Sequence, residues 1–288
     1  LQFQLFAVSN FAIPHFRNLA IPIMPKAQID GFQLYYEAEG EGETLVLIPG
    51  FAAGRWIWFK QVATLSQRFR VITFDPRGVS QSDSPDGPQS ISLIADDIAA
   101  LLSTLGIESA HVLGASFGGF VAQEFALRHP SLTRKLVLCC TSFGGPNHVL
   151  PTAETLLALA STKGLNTADR MRENLLLAFS PAYVRNQPDE VDMVVQLRAN
   201  NEVPEDVYLR QLNAAVTFNA EGRLEGIKSP TLVVSGDADI IVPVQNSYNL
   251  AARIHEARLR IVEGGSHTFF IERAEEFNRM VIGFIEGQ

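Results

Sequence analysis

The sequence predicts an α/β fold: a mostly parallel sheet with helices on both faces and a helical insertion in its second half. Three observations carry this. Apolar runs of strand length alternate with amphipathic helical patterns over most of the 288 residues. The run Gly114-Ala115-Ser116-Phe117-Gly118 joins one such strand directly to a helix. From 145 to 219 the alternation stops, and helical patterns follow one another with no convincing strand between them. A hydrophobic content of 47% is enough for a large buried core of this kind.

The first 24 residues stand apart. They are apolar, begin without Met, and are broken by Pro14 and Pro22. They lack both the positive start and the small-residue cleavage site of a signal peptide. Since Met24-Pro25-Lys26 reads as a natural start, 1–24 is expected to be an upstream extension, the alternative being a surface-packing arm. The stretch 32–37 alternates as a half-buried strand, and 44–47 and 71–74 are buried ones. Ile91, Ile94, Ile98, Leu101, Leu102 and Leu105 recur at helical spacing, and Gly106 stops that helix. A strand over 109–113 leads into the serine run and a helix follows it. Further strands are expected over 135–140, 230–235 and 258–262. The core is therefore assigned to 25–144 and 220–288. A helical cap over 145–219, with helices at 152–162, 168–179, 188–200 and 204–216, is expected to lie over the carboxyl edge of the sheet.

A chain that reverses from strand to helix within about three residues forces strained angles on the residue at the apex, so small residues are needed two positions either side. Gly114 and Gly118 meet that need, and Ser116 becomes a candidate nucleophile. A serine hydroxyl needs a base, normally a histidine oriented by a carboxylate, and in this setting the chain order is Ser, acid, His. Two histidines lie usefully downstream. His267 follows the strand 258–262 at its carboxyl end, the edge from which Ser116 emerges, and is the expected base. His255 precedes that strand, at the opposite edge. For the acid, Asp237 and Asp239 compete in the loop after 230–235. Asp237, directly after Gly236, is better placed to cap backbone amides, so Asp239 is favoured.

From about residue 27 onward the chain resembles the α/β-hydrolase superfamily, and within it small capped esterases and lactonases related to 3-oxoadipate enol-lactonase and the cofactor-free haloperoxidases. The resemblance rests on Ile48-Pro49-Gly50-Phe51, on the loop 75–83, on the serine elbow, and on 236–243 with His267. It implies an oxyanion hole made by the backbone amides of Phe51 and Phe117. Two departures stand out: Pro49 where the family has His, and Ser80 where it has a second glycine. Backbone donors do not depend on side-chain identity, so Pro49 should leave the hole intact. The loop 75–83 is expected to be structural, with Arg77 tying loops together near the site and Ser80 tolerated if its φ is negative.

Function follows as an expectation: a serine hydrolase of short to medium carboxylic esters working through an acyl-enzyme. Lactone opening and carbon-carbon bond hydrolysis on the same triad are alternatives, and a non-catalytic ligand receptor is the alternative from another class. No set of His, Cys and carboxylate ligands forms a metal motif, so neither metal nor other cofactor is expected. The ordinary imidazole pKa sets a rise of kcat/KM through roughly 6 to 7. A net charge of −8 with no basic block argues against nucleic acid and anionic membranes as partners, leaving a small-molecule ester or lactone. Cys139 and Cys140, adjacent on a strand, should point to opposite faces, which disfavours a mutual disulfide and suggests a reducing, cytoplasmic setting. Trp56, Trp58, Phe143, His148, Phe179 and Phe218 together suggest an apolar pocket. Arg170, Arg172, Arg185, Arg198 and Arg210 are spread among acids and read as a solvated face.

Overall fold

The computed structural model describes residues 25–160, 167–201 and 203–288. The N-terminal extension assigned to 1–24 lies outside them. Among the described residues eight strands form one sheet: β1 (Lys26–Ile29), β2 (Phe32–Glu39), β3 (Thr44–Ile48), β4 (Arg70–Phe74), β5 (Ala110–Ala115), β6 (Thr133–Cys139), β7 (Thr231–Gly236) and β8 (Arg258–Val262). Their spatial order is β1-β2-β4-β3-β5-β6-β7-β8. β2 runs antiparallel to both its neighbours, and every pair from β4 to β8 is parallel.

Side chains alternate across this sheet with the period of two that pleating imposes. Val46, Ile72, Val112, Leu136 and Val233 face one core, filled by α2 (Ile91–Thr104), α3 (Phe117–Arg128) and α9 (Gln245–Arg253). Leu45, Leu47, Val71, Leu113, Val137 and Val234 face the other. That second core is closed by Trp58, by α1 (Val62–Leu65), and by α10 (Phe269–Glu272) and α11 (Ala274–Glu286) at the C-terminal end. Burial on both faces explains why these strands read as continuous apolar runs. At the start of α2 the Ser90 hydroxyl accepts from the Leu93 amide at 3.1 Å, and Gly106 follows its end at a φ of 66°.

Between β6 and β7 lie α4 (Ala153–Ala160), α5 (Thr167–Ala178), α6 (Pro181–Asn186), α7 (Pro188–Ala199) and α8 (Glu205–Thr217). Four of these match the predicted patterns, the end of the first, 161–162, lying outside the described residues. The short α6 was not anticipated; it is one and a half turns with Ser180 as N-cap and Pro181 in its first turn, too brief to show a period. Among the described residues, no helix is long and apolar enough to cross a membrane.

Candidate active site

Ser116 sits between β5 and α3 with φ 54° and ψ −118°, a conformation costing on the order of 1–3 kcal/mol for a residue with a side chain. The surroundings over-determine it. Its amide donates to the Cys139 carbonyl at 2.9 Å, and its carbonyl accepts from the Gly119 amide at 2.9 Å and the Thr141 hydroxyl at 2.8 Å. The flanking glycines are required by contact: a Cβ on Gly114 would collide with the Gly118 carbonyl, and one on Gly118 with the Ile48 and Pro49 carbonyls.

His267 lies in the loop between β8 and α10, and its Nδ1 meets Asp239 Oδ2 at 2.8 Å. The other carboxylate oxygen, Oδ1, accepts the Ile241 and Val242 amides, each at 2.8 Å. Asp239 is thus fully committed, and its side chain has no exposed surface, whereas that of His267 keeps 11%. Asp237 plays the capping part read from the sequence, accepting the Gly264 amide at 2.5 Å. Burial pulls the pKa of His267 down, but the charge of Asp239 and its hydrogen bond outweigh that and raise it to about 9. This corrects the expected range of 6 to 7, which assumed an imidazole without a buried anionic partner. His255 is exposed in the turn after α9.

Gly50 brings the third strand's loop against Ser116: a Cβ there would stand 3.7 Å from Ser116 Cβ. The Phe51 and Phe117 rings meet edge-on at 6.0 Å. Among the described residues no acceptor takes the Phe51 or the Phe117 amide.

Several expectations give way. Ser80 has φ 49°, so the left-handed backbone that suits a glycine is kept without one, and its hydroxyl donates to Asn201 Oδ1 at 2.7 Å. Cys140 has left the strand with φ 41°, which turns its side chain back and sets the two sulfurs 3.3 Å apart as free thiols. The Cys140 sulfur also falls within 4.8 Å of ligand atoms of Asp239 and His267. That trio has the makings of a metal site, but the two facing atoms are bonded to each other, and burial pushes the Cys140 thiol well up, against the thiolate a metal takes. Arg77 does tie elements together, through a two-pronged pair with the buried Asp97 of α2.

Of the aromatic residues singled out in the sequence, Trp56, Trp58, Phe143, Phe179 and Phe218 are buried in the two clusters flanking the sheet, whereas His148 is half-buried with its Nδ1 2.5 Å from the Gly145 carbonyl oxygen. The apolar cavity beside the site, about 640 Å³, is instead lined by Val149, Leu150, Ala158, Leu177, Ile240 and Pro243, with Thr152, Thr155, Glu154 and Asp239. Of the arginines, Arg170's side chain lies outside the described residues. Arg172 pairs with Asp192 at the surface, and Arg210 ties α8 to the Pro85 and Gly87 carbonyls. Arg198 departs from a solvated face, since its Nε is buried without a partner.

Two further residues went unseen in the sequence. Glu272 accepts from the Ser266 hydroxyl and from both the amide and hydroxyl of Ser180, pinning the histidine loop to the start of α6. Gln211 of α8 reaches the Ala52 amide. Each acts across a long sequence separation that no local spacing reveals.

The family model described as the alpha/beta hydrolase fold matches residues 43–274. The chain belongs to the α/β-hydrolase superfamily. Among α/β hydrolases it is 31% identical to the protein named "Putative carbamate hydrolase RutD" from Azorhizobium caulinodans, over 91% of this chain and 98% of that one. It is also similar to the solved enol-lactonase from Burkholderia xenovorans (29% identity, TM-score 0.79, 91% of this chain and all of that one). A meta-cleavage product hydrolase from Pseudomonas fluorescens is similar too (25%, TM-score 0.77, 91% and 97%). An α/β hydrolase related to lactonases and esterases, and a hydrolase in the broad sense, is what these likenesses establish.

Proposed function

We propose that this α/β hydrolase cleaves carboxylic esters of short to medium acyl length through an acyl-enzyme on Ser116. The observation that carries the reading is the 2.8 Å pairing of a buried Asp239 with His267 at the edge of the sheet where the strained Ser116 emerges. Ser116 Oγ attacks the acyl carbon while His267 Nε2 takes its proton. Asp239 holds the imidazole with Nδ1 as donor and stabilises the imidazolium. The Phe51 and Phe117 amides receive the negative charge that develops on the carbonyl oxygen. Collapse expels the alcohol, protonated by His267, and water then repeats the sequence to release the acid. The chemistry asks for no metal, so dialysis against a chelator should leave the rate unchanged. The helices between β6 and β7 act as a cap, and the aliphatic cavity beside Asp239 supports an uncharged small-molecule ester or lactone as substrate, not a nucleic acid or a membrane.

A second reading, carbamate hydrolysis, draws its support from the name of the RutD relative. It uses the same groups, with a carbamate carbonyl in place of the ester. The test is fluorophosphonate labelling followed by rates on matched ester, lactone and carbamate substrates. A single adduct on Ser116 with turnover of the ester is expected. An adduct on another serine, or none, would overturn the nucleophile, and turnover of the carbamate alone would decide for the second reading.

A further inference from the structure

The loop that carries Phe51 is a four-residue turn, closed by the Ala53 amide donating to the Gly50 carbonyl at 3.3 Å. Ala52 occupies its third position with φ 47°. A positive φ at that place is what a type II turn demands and what glycine supplies without strain. Alanine does not. Left to itself, a turn with alanine there favours rotation of the Phe51–Ala52 peptide plane toward the type I form, in which the third residue has negative φ.

What opposes the rotation comes from 159 residues away. Gln211, on α8 and 1% exposed, places its side-chain carbonyl oxygen 2.8 Å from the Ala52 amide. Rotating the plane would remove the donor and turn the Phe51 carbonyl toward the Gln211 oxygen, acceptor against acceptor. The same patch is packed by Val203 and Val207 against Ala52 and Val79, and Tyr208 meets the Phe51 ring at 4.8 Å. The packing fixes how close α8 lies; the hydrogen bond selects which way the peptide faces.

We infer that Gln211 is a positioning residue for the oxyanion hole: by holding the Ala52 amide it keeps the 50–53 turn in one conformation and ties that turn, which carries the Phe51 amide, to the seat of helix α8. This rests on the proposed ester hydrolysis and on Phe51 as oxyanion donor. Loss of a whole oxyanion donor lowers kcat by about 10²–10³. A donor left in place but spread over two turn conformations should cost less, about tenfold.

Gln211→Met keeps the length and bulk of the side chain and removes the acceptor. Expected are a roughly tenfold fall in kcat, a KM within about twofold, and fluorophosphonate labelling of Ser116 slowed by the same factor as kcat, because binding is untouched and only the charged transition state suffers. Adding Ala52→Gly to Gln211→Met should restore most of the lost rate, since glycine takes the positive φ unaided. A purely structural role for Gln211 predicts a lower melting temperature and no such rescue. The inference is overturned if Gln211→Met keeps wild-type kcat, if its loss lies wholly in KM, or if the double variant does not recover. Should Gln211→Met not fold, a backbone ester at position 52 deletes the donor instead and must give the same loss of kcat. Absence of labelling and hydrolysis in the wild-type protein would strike the ester-hydrolase reading itself, a result distinct from any of these.

Discussion

The sheet and the helices inserted between β6 and β7 solve the same problem in different ways. The central strands β3, β5 and β7 bury both faces, and apolar side chains such as Leu113, Val137 and Val233 have no exposed surface. The insertion leaves Leu150, Leu156, Leu157, Met193, Leu209, Leu212 and Val216 exposed, while on the rest of the described chain only Ile240 and Tyr248 are large, apolar and open to solvent. Besides the apolar residues it sends into the sheet's cores, such as Phe179 and Val194, the insertion is tied to loops by polar contacts: Gln211 to Ala52, Asn201 to Ser80, Arg210 to the 84–87 loop, Ser180 to Glu272, and Lys60 to Glu190. In the proposed mechanism the sheet therefore builds the reacting groups, and the insertion adjusts the loops that present them. Damage to the first should abolish activity or folding, and damage to the second should change rates by modest factors.

The largest effect belongs to the proposed nucleophile. Ser116→Ala should lower kcat by on the order of 10⁶ with the melting temperature within a few degrees of wild type, measured by esterase assay and thermal unfolding. A variant that retains a hundredth of the activity would place the chemistry elsewhere. Asp239→Asn should cost on the order of 10⁴ in turnover by leaving the wrong imidazole tautomer populated, and far exceed Asp237→Asn, which loses a cap to Gly264. The reverse ranking in two folded variants would mean that Asp237 orients the base.

Stability should divide along the same line. Leu113→Ala, in the doubly covered sheet, should destabilise by about 2–5 kcal/mol in denaturant unfolding. Leu157→Ala, at 72% exposure on α4, should stay within about 0.5 kcal/mol. Equal losses would show the insertion to be as tightly integrated as the core.

The pH dependence tests the buried pair. Because His267 must be neutral in the free enzyme, kcat/KM should rise with pH, about tenfold per unit, until it levels near 9. Stability runs the other way. A histidine whose pKa is higher folded than unfolded contributes fully below about 6.5 and loses that contribution as pH rises toward 9. A plateau already reached at pH 7 would show that the charge of Asp239 does not outweigh burial at His267. The smallest effect is selectivity. Each methylene buried in the aliphatic cavity should gain about 0.8 kcal/mol, roughly fourfold in kcat/KM, up to an intermediate acyl length. A rate still rising at palmitate would mean that the insertion opens as a lipid-binding lid.

What could be read in advance divides along the same boundary. Strands such as β5 and β7 announce themselves as apolar runs, the elbow by its two glycines, and the choice of Asp239 over Asp237 by distance from the tight turn at Gly236. These are local properties. The positive φ of Ser80 and Cys140 is not legible, because a tertiary contact, not the residue type, stabilises it. Nor is the fate of the aromatic residues: Trp58 and Phe218 have the composition of a pocket wall, and only packing against Phe270 of α10 and Phe120 of α3 makes them core. Gln211 and Glu272 act across 159 and 92 residues respectively, beyond the reach of any spacing argument.

β6 and β7 lie side by side, Leu136 opposite Thr231, although the whole insertion is threaded between them. Closing a flexible loop costs more with length only logarithmically, about 0.6 kcal/mol for each doubling. The hydrogen-bonded ladder between these two strands is therefore almost indifferent to what the chain does after Cys139 and before Thr231. A longer, shorter or rearranged excursion could be exchanged at this one junction without disturbing the strands that carry Ser116, Asp239 and His267. Substrate range could then change by replacing a single contiguous segment, while the machinery that breaks the bond is inherited intact.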